Sequence, residues 1–100
     1  MKTDSITRKL EKYDLTAFQK RVLLQTYLIP KGETRTYKQI AQAAGRPKAY
    51  RAVGTALRLN PLAPKIPCHR VVRSNGDIGN YSAEGGKRKK LMMLRSEGAI

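Results

Sequence analysis

Cys68 is the single thiol among 100 residues, and it stands between Pro67 and the pair His69-Arg70. A free cysteine is most often a small buried hydrophobe with an inert sulfur. Two features point the other way. The proline fixes the backbone at this point, and two neighbours that are cationic or can be protonated favour the thiolate, the nucleophilic form. His69 is the chain's one histidine. Adjacent side chains on an extended backbone point to opposite sides, so a direct Cys–His pair is not implied; a local bend or a bridging water is needed. One Cys and one His cannot close a four-ligand zinc site, so no metal is expected. No paired carboxylates stand at a spacing that suggests hydrolase chemistry, and no phosphate-binding glycine loop is present.

Several elements must position that sulfur. Residues 1–13 read as a short or frayed helical lead. From Thr16 to Leu28 the residues Phe18, Val22, Leu23 and Tyr27 recur at helical spacing, and Pro30 and Gly32 end the run. Thr36 opens a second helix with Gln39 three residues on, a capping box. Tyr37, Ile40, Ala41 and Ala44 make its apolar stripe, and Gly45 suits the left-handed position just past its end. Pro47 fits the first turn of a third helix running to about Leu59, where Asn60-Pro61 stops it. Its apolar face is Tyr50, Val53 and Leu57; its other face is Lys48, Arg51, Thr55 and Arg58, with Ala52 between. Two helices joined by a glycine turn make a helix-turn-helix pattern.

Pro61, Pro64 and Pro67 stiffen an extended approach to Cys68. His69 to Arg73 reads as a strand, Asn75-Gly76 as a hairpin turn, and Asp77 to Tyr81 as the return strand. A last helix runs from near Lys87 to Ser96, with Leu91 and Leu94 inward and Lys87, Lys89 and Lys90 in water. The fold class expected is mainly α with a short β-hairpin, a winged-helix-like helix-turn-helix domain. The whole chain reads as one domain.

The charge names a partner. Lys and Arg number 21 against 7 Asp and Glu, a net +14, and no acid stands between Glu33 and Asp77. Such a field favours polyanions. The hydrophobic share of 40% is too high for a disordered basic tail. No apolar run approaches a membrane span, and a single cysteine fits a reducing compartment, so a cytoplasmic location is expected, or a nuclear one in a eukaryote.

The run Ile66-Pro67-Cys68-His69-Arg70-Val71-Val72 closely resembles the active-site signature of O6-alkylguanine-DNA alkyltransferases. The likeness extends from Gly32 to about Gly98, through GETRTYKQIAQAAGRPKAYRAVGTALRLNP and IPCHRVVRSNGDIGNYS. It implies direct-reversal DNA repair, in which Cys68 takes the alkyl group from a damaged guanine irreversibly, once per molecule, without metal or cofactor. The partner implied is double-stranded DNA containing alkylated guanine, bound by a monomer.

By the same resemblance, Tyr37 donates a proton or hydrogen bond to the leaving guanine. His69 activates Cys68 through a water and is held by Glu97 in the last helix. Arg51 fills the gap left by a flipped base. Lys48, Ala52, Thr55, Arg58 and Thr36 complete the DNA-binding set, and small residues at 52 and 54 let the helix approach DNA and core. Asn60 braces the turn between the DNA-binding helix and the active segment. Asn60, Pro67, Val71, Tyr81 and Ser82 form the substrate pocket.

Departures from the family pattern lie around that pocket. Ala83 stands where glycine is usual after Tyr-Ser, and the segment from Tyr81 to Glu97 is slightly long. About 30 residues precede the matching region, where the family often carries an N-terminal domain, so a minimal catalytic domain is expected. Two other readings stand beside this one. An alkyltransferase-like lesion sensor binds without transfer, but such relatives usually have another residue at the Cys68 position. A helix-turn-helix transcription factor explains the charge and leaves the Pro-Cys-His-Arg run unexplained.

Overall fold

Thr16 and Thr36 start helices by the same exchange of hydrogen bonds. Each hydroxyl oxygen accepts from the amide three residues on, of Gln19 and of Gln39, at 3.1 Å, and each glutamine Oε1 accepts from the threonine amide at 2.9 Å. Two orphan amides at each helix start are thus satisfied. The computed structural model describes residues 4–63, 65–74 and 86–99. Its elements in order are α1 (Asp4–Leu10), α2 (Ala17–Tyr27), β1 (Arg35–Thr36), α3 (Tyr37–Ala43), α4 (Tyr50–Arg58), a 3₁₀ turn (Cys68–Arg70), β2 (Val71–Val72) and α5 (Gly86–Ser96).

Helices α2, α3 and α4 pack on one another around Val22, Leu23, Ile40, Ala41, Val53 and Ala56, all buried. Within the lead, α1 packs down: Ile6 and Leu10, one helical turn apart, are both buried against this core. Helix α3 ends in a Schellman motif. Gly45, at φ 89°, donates to Gln42, and Arg46 donates to the Ala41 carbonyl at 3.0 Å. Arg21 Nε takes up the Ala44 carbonyl at 3.0 Å, so α2 also closes the end of α3.

Helix α4 starts later than Pro47 suggests. Ala49 donates to the Arg46 carbonyl at 2.9 Å, so residues 46–49 form a turn ahead of the helix. Val53, Ala56 and Leu57 are buried, and Arg51, Ala52, Thr55 and Arg58 are exposed. Tyr50 departs from its expected place in the core: it is 43% exposed at the first position of α4, ahead of the buried Val53, Ala56 and Leu57.

The sheet is a two-residue parallel ladder, with Arg35 opposite Val71 and Thr36 opposite Val72. The expected strand from His69 to Arg73 shrinks to Val71–Val72, because Cys68–Arg70 coil into the 3₁₀ turn. The hairpin expected at Asn75-Gly76 lies outside the described residues. Leu94 of α5 is buried and Leu91 half-buried. Lys90, expected in water, is fully buried. A second Schellman motif ends α5: Gly98, at φ 76°, donates to Arg95, and Ala99 donates to the Leu94 carbonyl at 3.0 Å. Glu97 therefore sits at the cap just past the helix rather than within it. Gly32, at φ 90°, passes so close that a Cβ there would lie 3.2 Å from the Glu97 carbonyl oxygen. That turn seats the end of α5 against the end of α2. Among the described residues, no helix is long and apolar enough to cross a membrane.

Candidate active site

The approach to Cys68 is a series of tight turns rather than an extended run. Asn60 Nδ2 donates to the Ile66 carbonyl at 2.9 Å, while its Oδ1 accepts from the Leu62 amide at 3.0 Å. One side chain thus closes the loop that leads from α4 to the thiol. Pro67 has φ −81° and ψ 67°, and Cys68 donates across it to the Ile66 carbonyl at 2.8 Å. This is an inverse γ-turn, for which proline's fixed φ is already suited. Arg70 then donates to the Pro67 carbonyl at 2.9 Å and starts the 3₁₀ turn. These two turns bend the chain at Cys68 and His69, where an extended chain is expected.

Cys68 is 7% exposed and belongs to the hydrophobic core. Burial pushes its thiol up from the usual value; a hydrogen bond with Asn60 and the charge of Lys90 oppose that shift. The sulfur therefore rests as a thiol and needs a base to become a nucleophile.

His69 is 2% exposed, and its Nε2 lies 3.1 Å from Glu97 Oε1. A carboxylate only accepts, so Nε2 carries the proton and the lone pair of the neutral ring falls on Nδ1. Nδ1 is buried and has no hydrogen-bond partner among the described residues. Burial lowers the pKa of His69; the hydrogen bond and charge of Glu97 raise it, and Arg70 and Lys90 lower it further. The ring is thus neutral at physiological pH, with a basic nitrogen to offer.

Glu97 is held ionised, at a pKa of about 2, above all by its hydrogen bonds from Arg70. Arg70 Nε reaches Oε1 at 3.0 Å and Nη2 reaches Oε2 at 2.6 Å, a two-pronged grip. Arg70 Nη1 also donates to the Ile29 carbonyl at 2.9 Å. One guanidinium therefore joins the end of α2, the active segment and the end of α5. Behind the sulfur, Lys90 Nζ donates to the Val71 carbonyl at 2.6 Å and lies 6.0 Å from the centre of the Tyr37 ring.

Cys68 opens on a cleft of about 530 Å³ between α3, α4 and the residues after β2. Tyr37, Arg51, Thr55 and Arg58 line the same cleft, together with Lys38, Tyr50 and Gly54. The remaining candidates fall elsewhere. Ala52 shares a neighbouring hollow with Phe18 and Thr55. Lys48 is exposed outside both hollows, and the Thr36 hydroxyl is occupied in its capping box. Pro67 is buried. Val71, expected in the pocket, is fully buried in the core instead, because its strand position faces inward. Tyr81 and Ser82 lie outside the described residues. Gly54 is expected to ease close packing, yet a Cβ at this position would meet nothing within 4 Å, so its smallness leaves room in the cleft rather than in the core.

Three residues of the site escape sequence reasoning. Arg70 reads only as a charge beside the thiol, and its spacing from Glu97 gives no local signal. Lys90 carries no sign of burial except its place one turn before Leu94. Tyr50 is hidden by its regular spacing with Val53 and Leu57.

A family model described as "6-O-methylguanine DNA methyltransferase, DNA binding domain" matches residues 17–99. A methylated-DNA--protein-cysteine methyltransferase of Methanosarcina barkeri is 52% identical over 92 residues, covering 86% of this chain and 58% of that protein. The crystal structure of Mycobacterium tuberculosis OGT in complex with DNA superposes with a TM-score of 0.79 at 44% identity, over 83% of this chain and 49% of that one. The structure of S. pombe Atl1 in complex with damaged DNA containing O6-carboxymethylguanine gives a TM-score of 0.71 at 32% identity, over 86% of this chain and 80% of that one. The chain spans about half the length of the curated relatives it matches.

Proposed function

We propose, since this chain belongs to the 6-O-methylguanine DNA methyltransferase family, that it repairs alkylated guanine in DNA by moving the alkyl group onto Cys68. The observation that carries this reading is the shared cleft: the lone thiol opens on the same hollow as Arg51, Thr55 and Arg58 on the exposed face of α4.

The basic face of α4 holds duplex DNA, with Lys48, Ala52 and Thr36 around it. The damaged nucleotide swings out of the stack, which costs only about a few kcal/mol, and Arg51 fills the gap. His69 Nδ1 takes the Cys68 proton through a bridging water while Glu97 keeps the ring in the required tautomer. The thiolate attacks the alkyl carbon. The S–C bond forms as the C–O6 bond breaks, and the bonding pair stays with guanine. Guanine takes a proton at the ring from the Tyr37 hydroxyl, and the proton held on His69 returns through solvent to the tyrosinate. The sum is thiol plus alkylguanine giving thioether plus guanine, which balances without a cofactor. The fixed charge of Lys90 offsets burial while sulfur is negative. Asn60 and Pro67 hold the sulfur in place; Tyr81 and Ser82 are assigned to the pocket by resemblance alone. A thioether has no leaving group to return, so each molecule acts once.

The test is mass spectrometry of the Cys68 peptide after incubation with duplex DNA bearing O6-methylguanine. The expected result is one added methyl in place of the thiol hydrogen, reaching a plateau at one per protein. Tight binding of the lesion with no mass change would instead identify a lesion sensor. Binding that ignores the lesion would leave a plain helix-turn-helix DNA-binding protein.

A further inference from the structure

The cleft carries an aromatic residue that the chemistry above does not use. Tyr50 is 43% exposed at the first turn of α4, beside Arg51, and lines the cleft that holds Cys68. Lys38, exposed on the first turn of α3, places its Nζ 5.9 Å from the centre of the Tyr50 ring. A cation at that range orients the ring. Gly54 stands one helical turn after Tyr50 on the same side of α4 and also lines the cleft. A Cβ at Gly54 would meet nothing within 4 Å. An aromatic face next to bare helix backbone makes a slot for a flat group, with a cation at its edge. No carboxylate lines the cleft among the described residues.

We propose that Tyr50 and Lys38 clamp a nucleotide of the DNA, the ring of Tyr50 stacking on its base over the space left by Gly54 and the ammonium of Lys38 holding its phosphate. The proposal rests on the DNA-repair reading above and adds a contact specific to these residues. Aromatic stacking is tolerant of sequence because every base has a π face. The stack therefore adds affinity at the lesion without selecting its neighbours, and it separates physically from the Lys38–phosphate contact, the part of the clamp that depends on salt.

The test is fluorescence anisotropy with a labelled duplex carrying one O6-methylguanine, repeated at several salt concentrations. Tyr50→Ala weakens binding by about tenfold or more, the size expected for one lost stack, and leaves the salt dependence unchanged. Tyr50→Phe restores the affinity to within about twofold. Lys38→Met lowers the slope of log affinity against log salt by about one unit. An unchanged affinity in Tyr50→Ala, or a failure of Tyr50→Phe to restore it, overturns the clamp. Absence of duplex binding by the unaltered chain overturns both this proposal and the repair reading. If the unaltered chain binds and the Tyr50 contrast holds but Cys68 takes no methyl, the repair reading fails and the clamp stands.

Discussion

Oε1 of Glu97 receives two donors at once, His69 Nε2 at 3.1 Å and Arg70 Nε at 3.0 Å. Neighbouring residues of a strand could not both reach one acid. The 3₁₀ turn, with about three residues per turn, allows it. The acid that orients the histidine is thereby fixed by the residue next to that histidine.

Removing the guanidinium leaves a nearly buried carboxylate with only its His69 hydrogen bond, and takes from the Ile29 carbonyl its Arg70 donor. Arg70→Met lowers the unfolding free energy by about 3 kcal/mol, the scale for breaking one side of a buried pair. Arg70→Lys recovers only part of this, because one ammonium cannot bind both carboxylate oxygens and a carbonyl in that geometry. Urea melts at neutral pH measure both, and a loss below about 1 kcal/mol for the methionine variant would contradict the role.

Glu97→Gln keeps the shape and removes the charge that fixes the histidine tautomer. The single-turnover rate of methyl transfer to Cys68 should fall by about a hundredfold, within the range for general-base contributions. Rapid quench of a reaction on O6-methylguanine duplex reads it. A variant as fast as the parent would remove Glu97 from the mechanism.

Acid acts on rate and stability in the same direction. Burial, the largest cause, depresses His69, so the unfolded chain binds a proton before the folded one does. Stability is full above the ordinary histidine value of about 6.5 and declines below it. Glu97, held at about 2, adds a second loss between its ordinary value of 4.5 and about 2. Melting temperatures from neutral to acid pH should show both falls, and His69→Gln should erase the upper one. The acid limb of the transfer rate should have its midpoint below about 6.5.

Lys90→Met removes the buried positive charge that opposes desolvation of Cys68. The thiolate, followed by its ultraviolet absorbance, should appear at higher pH in the variant. A titration curve identical to the parent's would show that the charge does not reach the sulfur.

Arg51 is exposed and lines the cleft, a placement that the proposed gap-filling role requires. Arg51→Ala should slow repair of duplex DNA by about tenfold or more, beyond any effect on reaction with a free alkylated base, since only duplex requires an extruded nucleotide. Equal losses on the two substrates would deny it the gap-filling role.

Features set by neighbours in sequence are legible before the fold. The Thr36–Gln39 box, Gly45 and the Asn60-Pro61 stop are local devices, and each appears at its expected position. Contacts between distant segments are not legible in this way. Nothing near Arg35 announces a parallel pairing with Val71, 36 residues on, and nothing near Arg70 announces Ile29. Lys90 belongs in water by residue type alone; a carbonyl acceptor at Val71 and packing around α5 outweigh that preference. Tyr50 misleads in the opposite way, since helical spacing gives direction and not depth.

The ladder between β1 and β2 has two rungs, and each strand adjoins a residue to which the proposed repair reaction gives a role: Thr36 leads into Tyr37, and Val71 follows Cys68-His69-Arg70. Hydrogen-bond alignment therefore sets the separation of phenol and sulfur. A shift by one position would turn Val71 outward and move the phenol by a strand residue's length, about 3.3 Å. If the proposed transfer runs through Tyr37 and Cys68, a misaligned pair of strands is a chemical error before it is a structural one.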